Sequence, residues 1–360
     1  MKRLGYLWSD ITAFDNLLLA YRKARLGKRT REEVAEFDLN LEKELLQLQH
    51  ELQNKAYRPG AFRMFTIYER KPRQICAAPF RDRVVHHALM NVIDPLLDKR
   101  FIFDTHACRS GHGVHLAVTR YQHWAQRHAY ALKLDVARYF PSIDHAILKQ
   151  QLMQRIKDPH VLGLFECIIN HSPAYPSEPP GFFPGDDLFA ALERKKGLPI
   201  GNLTSQFLAN LYLDDLDHFI KEVLQVKCYL RYVDDLILLS NNKAQLQTWQ
   251  QAIREKLIEV RLRLHPAKVN LFQTSLGVDV LGYRVFPAYR LLRNDNGHRF
   301  ARKLRTYAAA YQRGQLDWDD FNPGVQSWIG HACHADTLGL RREIFAATIF
   351  TREKGNVCRV

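Results

Sequence analysis

The chain has 360 residues, 46% of them hydrophobic, which is enough to bury a substantial core in two or three subdomains. Its formal net charge of +14 indicates a polyanionic partner, and nucleic acid is favoured over a membrane because no apolar run approaches the roughly 18–20 residues that span a bilayer. The six cysteines show no C-x-x-C spacing, so they indicate a reducing, cytoplasmic compartment and argue against a disulfide framework.

The N-terminal region is predicted to be helical and then to change to strands. Apolar residues recur at helical spacing from Ile11 to Tyr21 and again from Leu41 to Leu52. The segment from Phe62 to Cys76 is typical of two short strands joined by a turn, which falls at Glu69–Pro72. We therefore expect a helical start followed by a β-hairpin.

A helix is predicted to begin after Pro79, with Arg81 and Arg83 in its first turn. These arginines could contact nucleic acid or a triphosphate, and a salt bridge within the fold explains each of them equally well. Residues 101–113 are predicted to form a loop that leads into a helix from Val114.

Three carboxylates lie at the ends of predicted strands. Asp135 ends one apolar segment, and Asp234 and Asp235 lie at the tip of a predicted hairpin between two short β-prone segments. Adjacent acids between buried strands are costly unless a cation meets them, although a solvated turn or independent structural acids would give the same pattern. If the fold brings these strand ends together, the three carboxylates can hold two Mg²⁺ ions about 3.5–4 Å apart for in-line phosphoryl transfer.

The region around these acids contains a loop and two helices. Residues 173–197 are rich in Pro and Gly and predict a long loop or insertion. Thr204 or Ser205 is the expected N-cap of the next helix, and residues 246–264 predict a helix followed by a strand. The apolar face of the first of these helices is expected to pack under the sheet, and it consists of Phe207, Leu208, Leu211, Tyr212, Leu216 and Phe219.

The C-terminal region is strongly basic. Val280–Val285 predicts a hairpin in which Gly282 permits close approach of another backbone. From Arg290 to Arg305 basic residues are interspersed with apolar ones, as in a helix that lays one face on a nucleic-acid backbone. The cluster His331–His334 could bind zinc, but packing or polar contacts explain it as well because no second pair of ligands is evident.

Three of these motifs, Asp135–Phe140, Gly197–Gln206 and Tyr232–Asp235, resemble the palm of reverse transcriptases and occur in the same order. The Ile-Gly-x-x-x-Ser-Gln form of the second motif resembles the reverse transcriptases of diversity-generating retroelements. Group II intron and retron enzymes usually carry Gln-Gly and then Ser-Pro there. The resemblance runs from about Leu7 to about Phe345, which is nearly the whole chain.

The resemblance implies an α+β fold of the right-hand polymerase type. The expected domains are N-terminal helices and fingers at 1–128, a palm at 129–288 with the 173–197 insertion, and a small helical thumb at 289–360. The implied activity is RNA-templated DNA synthesis with two Mg²⁺ ions, for which Mn²⁺ is a possible substitute. Asp135, Asp234 and Asp235 are the implied catalytic residues and metal ligands, with the backbone carbonyl of Val136 as a further ligand.

Other roles follow from the same resemblance. Phe140 would clash with a ribose 2′-hydroxyl, and Lys268 would protonate the leaving pyrophosphate. Ile200 offers no hydrogen bond where most reverse transcriptases have glutamine, so base-pair checking is expected to be looser, with errors concentrated at adenines. The expected nucleotide site is Lys71, Arg73, Phe140, Ile200, Gln206 and Lys268. The expected primer grip is Leu281, Gly282 and Tyr283, and the expected nucleic-acid contacts are Arg81, Arg83, Arg299, Arg302, Lys303 and Arg305.

The implied partners are a structured template RNA, the cDNA or primer, dNTPs and a small basic accessory protein that assembles into a ring. Such an enzyme is expected to be bacterial or phage-encoded and to act in mutagenic retrohoming. Three alternatives remain open at this point: an antiviral-defence reverse transcriptase that uses a noncoding RNA, a non-catalytic RNA-binding scaffold, and an RNA-dependent RNA polymerase.

Overall fold

The computed structural model describes residues 3–68, 72–173, 175, 181–187 and 189–352. Within these residues the protein combines helices with antiparallel sheets, as the α+β prediction requires. In the same part of the chain, none of the helices is both long and apolar enough to cross a membrane.

The N-terminal helices pack on one long central helix. Their bounds are α1 Trp8–Thr12, α2 Phe14–Arg25, α3 Glu32–Leu39, α4 Leu41–Gln53 and α5 Phe80–Leu97. In α2, Leu17, Ala20, Tyr21 and Ala24 are buried at spacings of three and four residues, and α2 packs along α5. The predicted helices are confirmed, and α3 is an additional helix.

The predicted hairpin is formed by β1 Arg63–Tyr68 and β2 Pro72–Ala77, which pair antiparallel with Arg63 opposite Ala77. Its strands are largely exposed, and only the end of β2 is buried, at Cys76. The turn residues 69–71, and with them the predicted nucleotide contact Lys71, lie outside the described residues.

The central sheet has four strands in the order β4-β5-β3-β6. Their bounds are β3 Tyr130–Asp135, β4 Tyr229–Tyr232, β5 Asp235–Ser240 and β6 Asn270–Gln273. β4 and β5 form the predicted hairpin, joined by the two-residue turn Val233-Asp234. Because β5 lies next to β3, the sheet sets the turn beside the end of β3.

Between residues 114 and 259, the part of the chain that the structure describes contains eight further α-helices: α6 Val114–Ala125, α7 Tyr139–Ser142, α8 His145–Arg155, α9 Pro159–Asn170, α10 Ala190–Glu193, α11 Leu203–Tyr212, α12 Asp214–His218 and α13 Lys243–Glu259. α6 begins at the predicted residue, Val114. α11 packs on α5 and α8, and its Phe207, Leu208, Leu211 and Tyr212 are buried as predicted. The predicted helix is too long, because α11 ends at Tyr212, Leu216 lies in α12 and Phe219 begins a π-helix.

Two further local predictions are wrong. The N-cap of α11 is Asn202, and Thr204 and Ser205 lie inside the helix. The Asn202 amide accepts a hydrogen bond from the Ala78 N–H and donates one to the Cys76 carbonyl, so the start of α11 is fixed by a distant strand. The strand expected after α13 is reduced to one bridge between Val136 and Leu264.

The described residues of the C-terminal region form a third sheet and three helices, with bounds β7 Val278–Val280, β8 Tyr283–Val285, β9 Arg290–Leu292, α14 Asn294–Gln312, α15 Trp318–Ala332 and α16 Leu338–Ala346. β7 and β8 form the predicted hairpin, and β9 pairs antiparallel with β8. Phe300 of α14 stacks on Trp328 of α15 with ring centroids 3.8 Å apart, which joins these two helices.

The chain divides into two compact units. The first unit comprises Met1–Gly111, Lys133–Ile237 and Gln247–Val269, and the second comprises His112–Leu132, Leu238–Leu246 and Asn270–Val360. The candidate carboxylates all belong to the first unit. The division into fingers, palm and thumb, with its boundaries at 128 and 288, stays a prediction, as does the right-hand arrangement.

Candidate active site

The structure brings the two acidic strand ends together. Asp135 is the last residue of β3, Asp234 lies in the β4–β5 turn, and Asp235 is the first residue of β5. The Val136 N–H donates to the Asp234 carbonyl over 3.1 Å, so the backbones just beyond the two strand ends are in direct contact. The neighbouring strands β3 and β5 thus present three carboxylates at the same end of the sheet.

The turn that carries Asp234 has an unusual backbone. Val233 has a φ of 57°, in the left-handed region that a β-branched residue rarely adopts. Such a conformation costs on the order of 1–3 kcal/mol and persists only where the surroundings fix it. One of the fixing contacts is a hydrogen bond of 3.2 Å from the Arg231 guanidinium to the Val233 carbonyl.

The carboxylates interact electrostatically. Burial raises the pKa of Asp234 to about 6, and the negative charges of Asp235 and Asp135 add to the increase. Burial also raises the pKa of Asp235, and Asp135 acts in the same direction, while the ammonium group of Lys133 opposes the shift. Both acids therefore lie in an environment where an added positive charge would be favourable.

Two lysines already supply part of that charge. Lys268 Nζ lies 2.7 Å from Asp135 Oδ2, and Lys133 Nζ lies 3.4 Å from Asp235 Oδ1. The Lys268 side chain is 45% exposed, so its ammonium group is also accessible to solvent at the site. The predicted placement of Lys268 near the acids therefore agrees with the geometry.

Hard divalent cations prefer carboxylate oxygens, so three mutually repelling carboxylates have suitable chemistry for such an ion. Across the described ranges, however, no three His, Cys, Asp or Glu side chains are already grouped as a ligand set. A cation shared by Asp135 and Asp235 would have to replace their contacts with Lys268 and Lys133. The donor set fits a divalent ion, and the side chains of Asp135 and Asp235 are oriented toward lysines.

Phe140 and Arg73 are two further members of the predicted nucleotide site, and they differ in exposure. Phe140 follows the buried Tyr139 in α7 and meets its ring edge to face at 5.8 Å. The Tyr139 hydroxyl donates to the Ala209 carbonyl, whereas the Phe140 side chain is only half-buried. Arg73 is exposed on β2.

Ile200 lies against the end of β2. Its carbonyl accepts a hydrogen bond of 3.0 Å from the Cys76 N–H. The following Gly201 has a φ of 110°, and a Cβ there would lie 2.9 Å from Ile75, so only glycine permits this approach. Gln206 is half-buried in the first turn of α11. The second palm motif is therefore attached to the predicted fingers hairpin.

In the second unit, the predicted primer grip is a tight turn. Leu281 has a φ of 47° and Gly282 a φ of 95°, and both lie between β7 and β8. The Tyr283 side chain is fully buried, and its hydroxyl bonds to the His331 carbonyl at 2.8 Å and lies 3.2 Å from His115 Nδ1. The packing alternative for the His331–His334 cluster therefore has direct support.

The predicted nucleic-acid contacts fall into two groups. Arg81 pairs with Glu51 at 2.5 Å, and Arg83 pairs with Glu33 at 2.9 Å, so both form the salt bridges that were the alternative explanation. The other group lies on α14 and is exposed, away from the buried face of that helix; its members are Arg299, Arg302, Lys303 and Arg305.

Two features of the site were missed in the sequence. Lys133 lies two residues before Asp135 on the same strand, and alternation alone would have placed both side chains on one face. The ion pair between Arg231 and Asp217 is completely buried, at 0% side-chain exposure for both. Nothing in the local pattern distinguishes that pair from two ordinary surface charges.

Comparison with known proteins identifies the class of enzyme. The chain matches the family described as reverse transcriptase (RNA-dependent DNA polymerase) over residues 63–285. That range is more than half of the chain, and the chain belongs to this family. It is therefore an RNA-directed DNA polymerase, a nucleotidyltransferase that binds template nucleic acid and dNTPs. Reverse transcriptases depend on divalent metal ions.

Several named proteins are similar to the chain. Protein YkfC of Escherichia coli (strain K12) is 24% identical over 282 residues, which cover 67% of this chain and 71% of YkfC. Nuclear intron maturase 1, mitochondrial, of Arabidopsis thaliana is 29% identical over 93 residues, or 26% of this chain and 13% of that protein. The putative COX1/OXI3 intron 1 protein of Saccharomyces cerevisiae is 23% identical over 272 residues, or 72% of this chain and 30% of that protein.

Proposed function

We propose that Asp135, Asp234 and Asp235 bind two Mg²⁺ ions, for which Mn²⁺ can substitute, with the Val136 carbonyl as a further ligand. The observation that carries this proposal is the contact between the end of β3 and the β4–β5 turn, where the charge of Asp135 helps to raise the pKa values of Asp234 and Asp235. When bound, the ions would activate the primer 3′-hydroxyl and stabilise the charge on the triphosphate.

The remaining steps belong to the chain's own side chains. Lys268 Nζ, beside Asp135, holds a proton that it can give to the departing pyrophosphate. The half-buried ring of Phe140, five residues beyond Asp135, would exclude a 2′-hydroxyl and so select dNTPs. Arg73, exposed on β2, would neutralise phosphate charge bidentately.

The metal proposal is tested by primer extension on an RNA template with the double variant Asp234→Asn/Asp235→Asn. We expect activity to fall by at least about 10³-fold, because losing two ligands forfeits several kcal/mol of transition-state stabilisation. The matched control Asp10→Asn/Asp319→Asn removes two exposed carboxylates elsewhere and should extend primers like the wild type. Equal activity of both double variants would contradict the proposal.

We further propose that the enzyme copies a structured template RNA into error-bearing cDNA for targeted protein diversification, together with a small basic accessory ring. The support is the Ile-Gly-x-x-x-Ser-Gln motif and the apolar side chain of Ile200 beside the end of β2. An isoleucine cannot hydrogen-bond an incoming nucleotide, so mispairs are penalised less.

The error proposal is tested with Ile200→Gln. One regained hydrogen bond of about 0.5–1.5 kcal/mol should lower misincorporation opposite template adenine roughly 3- to 10-fold. The control Ile200→Leu keeps an apolar side chain and should keep the wild-type error rate. Sequencing of the cDNA products measures both, and an unchanged adenine error rate in Ile200→Gln would remove this explanation.

A second candidate function is reverse transcription linked to an intron, because two of the similar proteins are named for introns. The DNA flanking the gene separates the candidates. A variable-protein gene with a mismatched repeat favours diversification, intron sequence favours the second candidate, and a cluster of defence genes favours an anti-phage role.

A further inference from the structure

Arg231 lies on β4 directly before the catalytic turn, and its side chain points into the protein. Its guanidinium is completely buried, which is exceptional for an arginine. A charge in such a place must be paired and fully hydrogen-bonded to be tolerated. The hydrogen-bond acceptors of the Arg231 guanidinium therefore show which parts of the fold this side chain holds in place.

All five guanidinium N–H groups have acceptors. Nε and one terminal nitrogen form a fork on the Asp217 carboxylate, at 2.7–2.9 Å. The Asn210 side-chain and backbone oxygens accept two more bonds, at 3.2 and 3.1 Å. The remaining N–H donates to the Val233 carbonyl at 3.2 Å, inside the turn itself.

Asp217 is itself held from three sides. Besides the arginine, its carboxylate accepts hydrogen bonds from the Tyr229 hydroxyl at 2.6 Å and from the Thr105 hydroxyl at 2.8 Å. Arg231 and Tyr229 lie on β4 and Thr105 lies before α6, while Asp217 itself belongs to α12, so the carboxylate cannot move without disturbing several parts of the fold. The arginine is therefore anchored on a rigid base.

We infer that the buried Arg231–Asp217 pair is a positioning device for the catalytic turn: it holds the Val233 carbonyl so that the left-handed turn presents Asp234 and Asp235 beside Asp135. The inference rests on the proposed metal role of these acids. The Val136 N–H fixes the next carbonyl, that of Asp234, from the opposite strand. The turn is thus held at two consecutive peptide groups.

The alternative is that the pair only joins β4 to α11 and α12. A matched control separates the two possibilities. Arg155 also forms a largely buried pair with α12, through Asp214 and Asp215 at 2.9 and 2.6 Å, and has no bond to the turn among its described contacts. Arg155→Lys therefore tests the loss of a buried arginine that pairs with the same helix.

The experiment compares Arg231→Lys with Arg155→Lys in thermal unfolding, single-turnover dNTP addition, and direct Mn²⁺ binding measured by electron paramagnetic resonance. Both variants should unfold at lower temperature. Only Arg231→Lys should weaken Mn²⁺ binding and raise the half-saturating Mg²⁺ concentration, each by roughly 10- to 100-fold, as supporting contacts of metal ligands do.

A rescue experiment tests the turn itself. Glycine adopts the left-handed conformation without strain, so adding Val233→Gly to Arg231→Lys should recover roughly 3- to 10-fold of the lost Mn²⁺ affinity. Val233→Ala in the same background keeps a Cβ and should recover less. If Arg231→Lys does not fold, Asn210→Ala removes a neighbouring acceptor and should give a smaller shift in the same direction.

Each result decides one question. If Arg231→Lys and Arg155→Lys bind Mn²⁺ as the wild type does while the wild type extends primers, the positioning role is wrong and the proposed function stands. If only Arg231→Lys weakens Mn²⁺ binding and the wild type extends no primer, the positioning role stands and the proposed function fails. A wild type that binds no Mn²⁺ overturns both.

Discussion

Tyr139 and Phe140 are adjacent aromatic residues that the fold uses differently. The Tyr139 ring is buried and its hydroxyl is bonded to the Ala209 carbonyl of α11, so it contributes to packing. The Phe140 ring is half-buried and its backbone carbonyl is bound by the Leu198 N–H. A rigid backbone with a partly accessible ring is what a steric gate requires.

Replacing the Phe140 ring should relax the choice of sugar. In Phe140→Ala we expect incorporation of ribonucleotides relative to deoxynucleotides to rise roughly 10- to 100-fold, because the steric penalty on a 2′-hydroxyl is removed. The ratio of kcat/KM for rNTP and dNTP in primer extension measures it. Tyr139→Phe, which loses only the buried hydrogen bond, should be less stable but equally selective.

At the scale of single elements, α14 is strongly two-sided. Phe300 and Leu304 are buried, and the four basic residues Arg299, Arg302, Lys303 and Arg305 are exposed on the remaining surface. Such a helix can pack and bind a polyanion at the same time, because its two faces are chemically independent.

Neutralising two of these charges should weaken template–primer binding without affecting the fold. For Arg302→Gln/Lys303→Gln we expect the slope of log K against log salt to become shallower by about 1–2, since each lost phosphate contact releases one counterion fewer. Fluorescence anisotropy over a salt series measures the slope. Lys43→Gln/Arg254→Gln removes two exposed charges elsewhere, and a slope change of equal size there would contradict a specific role for α14.

The central helix α5 carries a buried titratable group. Burial, with smaller contributions from His87 and Arg83, lowers the pKa of His86 from its ordinary value of 6.5 to about 3. The neutral imidazole is therefore favoured in the folded state. The stability that the folded state gains from keeping His86 neutral is fully present above pH 6.5, and it is lost as the pH falls from 6.5 toward 3.

His86→Met should therefore reduce the acid sensitivity of folding. Methionine has no proton to gain, so the variant should keep about 3 kcal/mol that the wild type loses between pH 7 and pH 4. Urea unfolding at several pH values measures this difference. Part of the decrease in the free energy of unfolding at low pH should remain, because burial also lowers the pKa of His87 to about 4. The control His123→Met, at an exposed position, should show the same pH dependence as the wild type.

At the scale of the whole molecule, the sequence predicted whatever depends on near neighbours. The β4–β5 hairpin, the strand ending at Asp135 and helices α2 and α4 follow from apolar periodicity within a few residues. The packing of the two acidic strand ends side by side followed only as a possibility, because strand order depends on the complete fold.

Long-range polar contacts were not predictable in the same way. The side chain of Asn202 caps no N–H group of its own helix and instead bonds to residues more than 120 positions away. Lys268 contacts Asp135 from a similar distance along the chain. The sequence around Arg231 is that of an ordinary strand, and only the tertiary structure shows that its guanidinium pairs with Asp217. These contacts decide the electrostatics of the site, and they are set by tertiary structure alone.

The carboxylate cluster is expected to have opposite effects on stability with and without metal. A cation that binds only the folded chain stabilises it by about 2.7 kcal/mol at one hundred times its dissociation constant. Without a cation, the buried like charges of Asp135, Asp234 and Asp235 repel one another and oppose folding.

Asp234→Asn/Asp235→Asn should therefore unfold at a higher temperature than the wild type in EDTA, and at a similar or lower temperature in saturating Mg²⁺. Calorimetry in EDTA and in Mg²⁺ measures the unfolding temperatures of the variant and of the wild type. A variant that lost stability in EDTA would show that the carboxylates support the fold through their lysine contacts. If Mg²⁺ does not change the unfolding temperature of the wild type, the three carboxylates do not bind the ion. Groups that oppose folding are retained at functional sites where they do chemistry, so binding of the ion would explain why these acids are present.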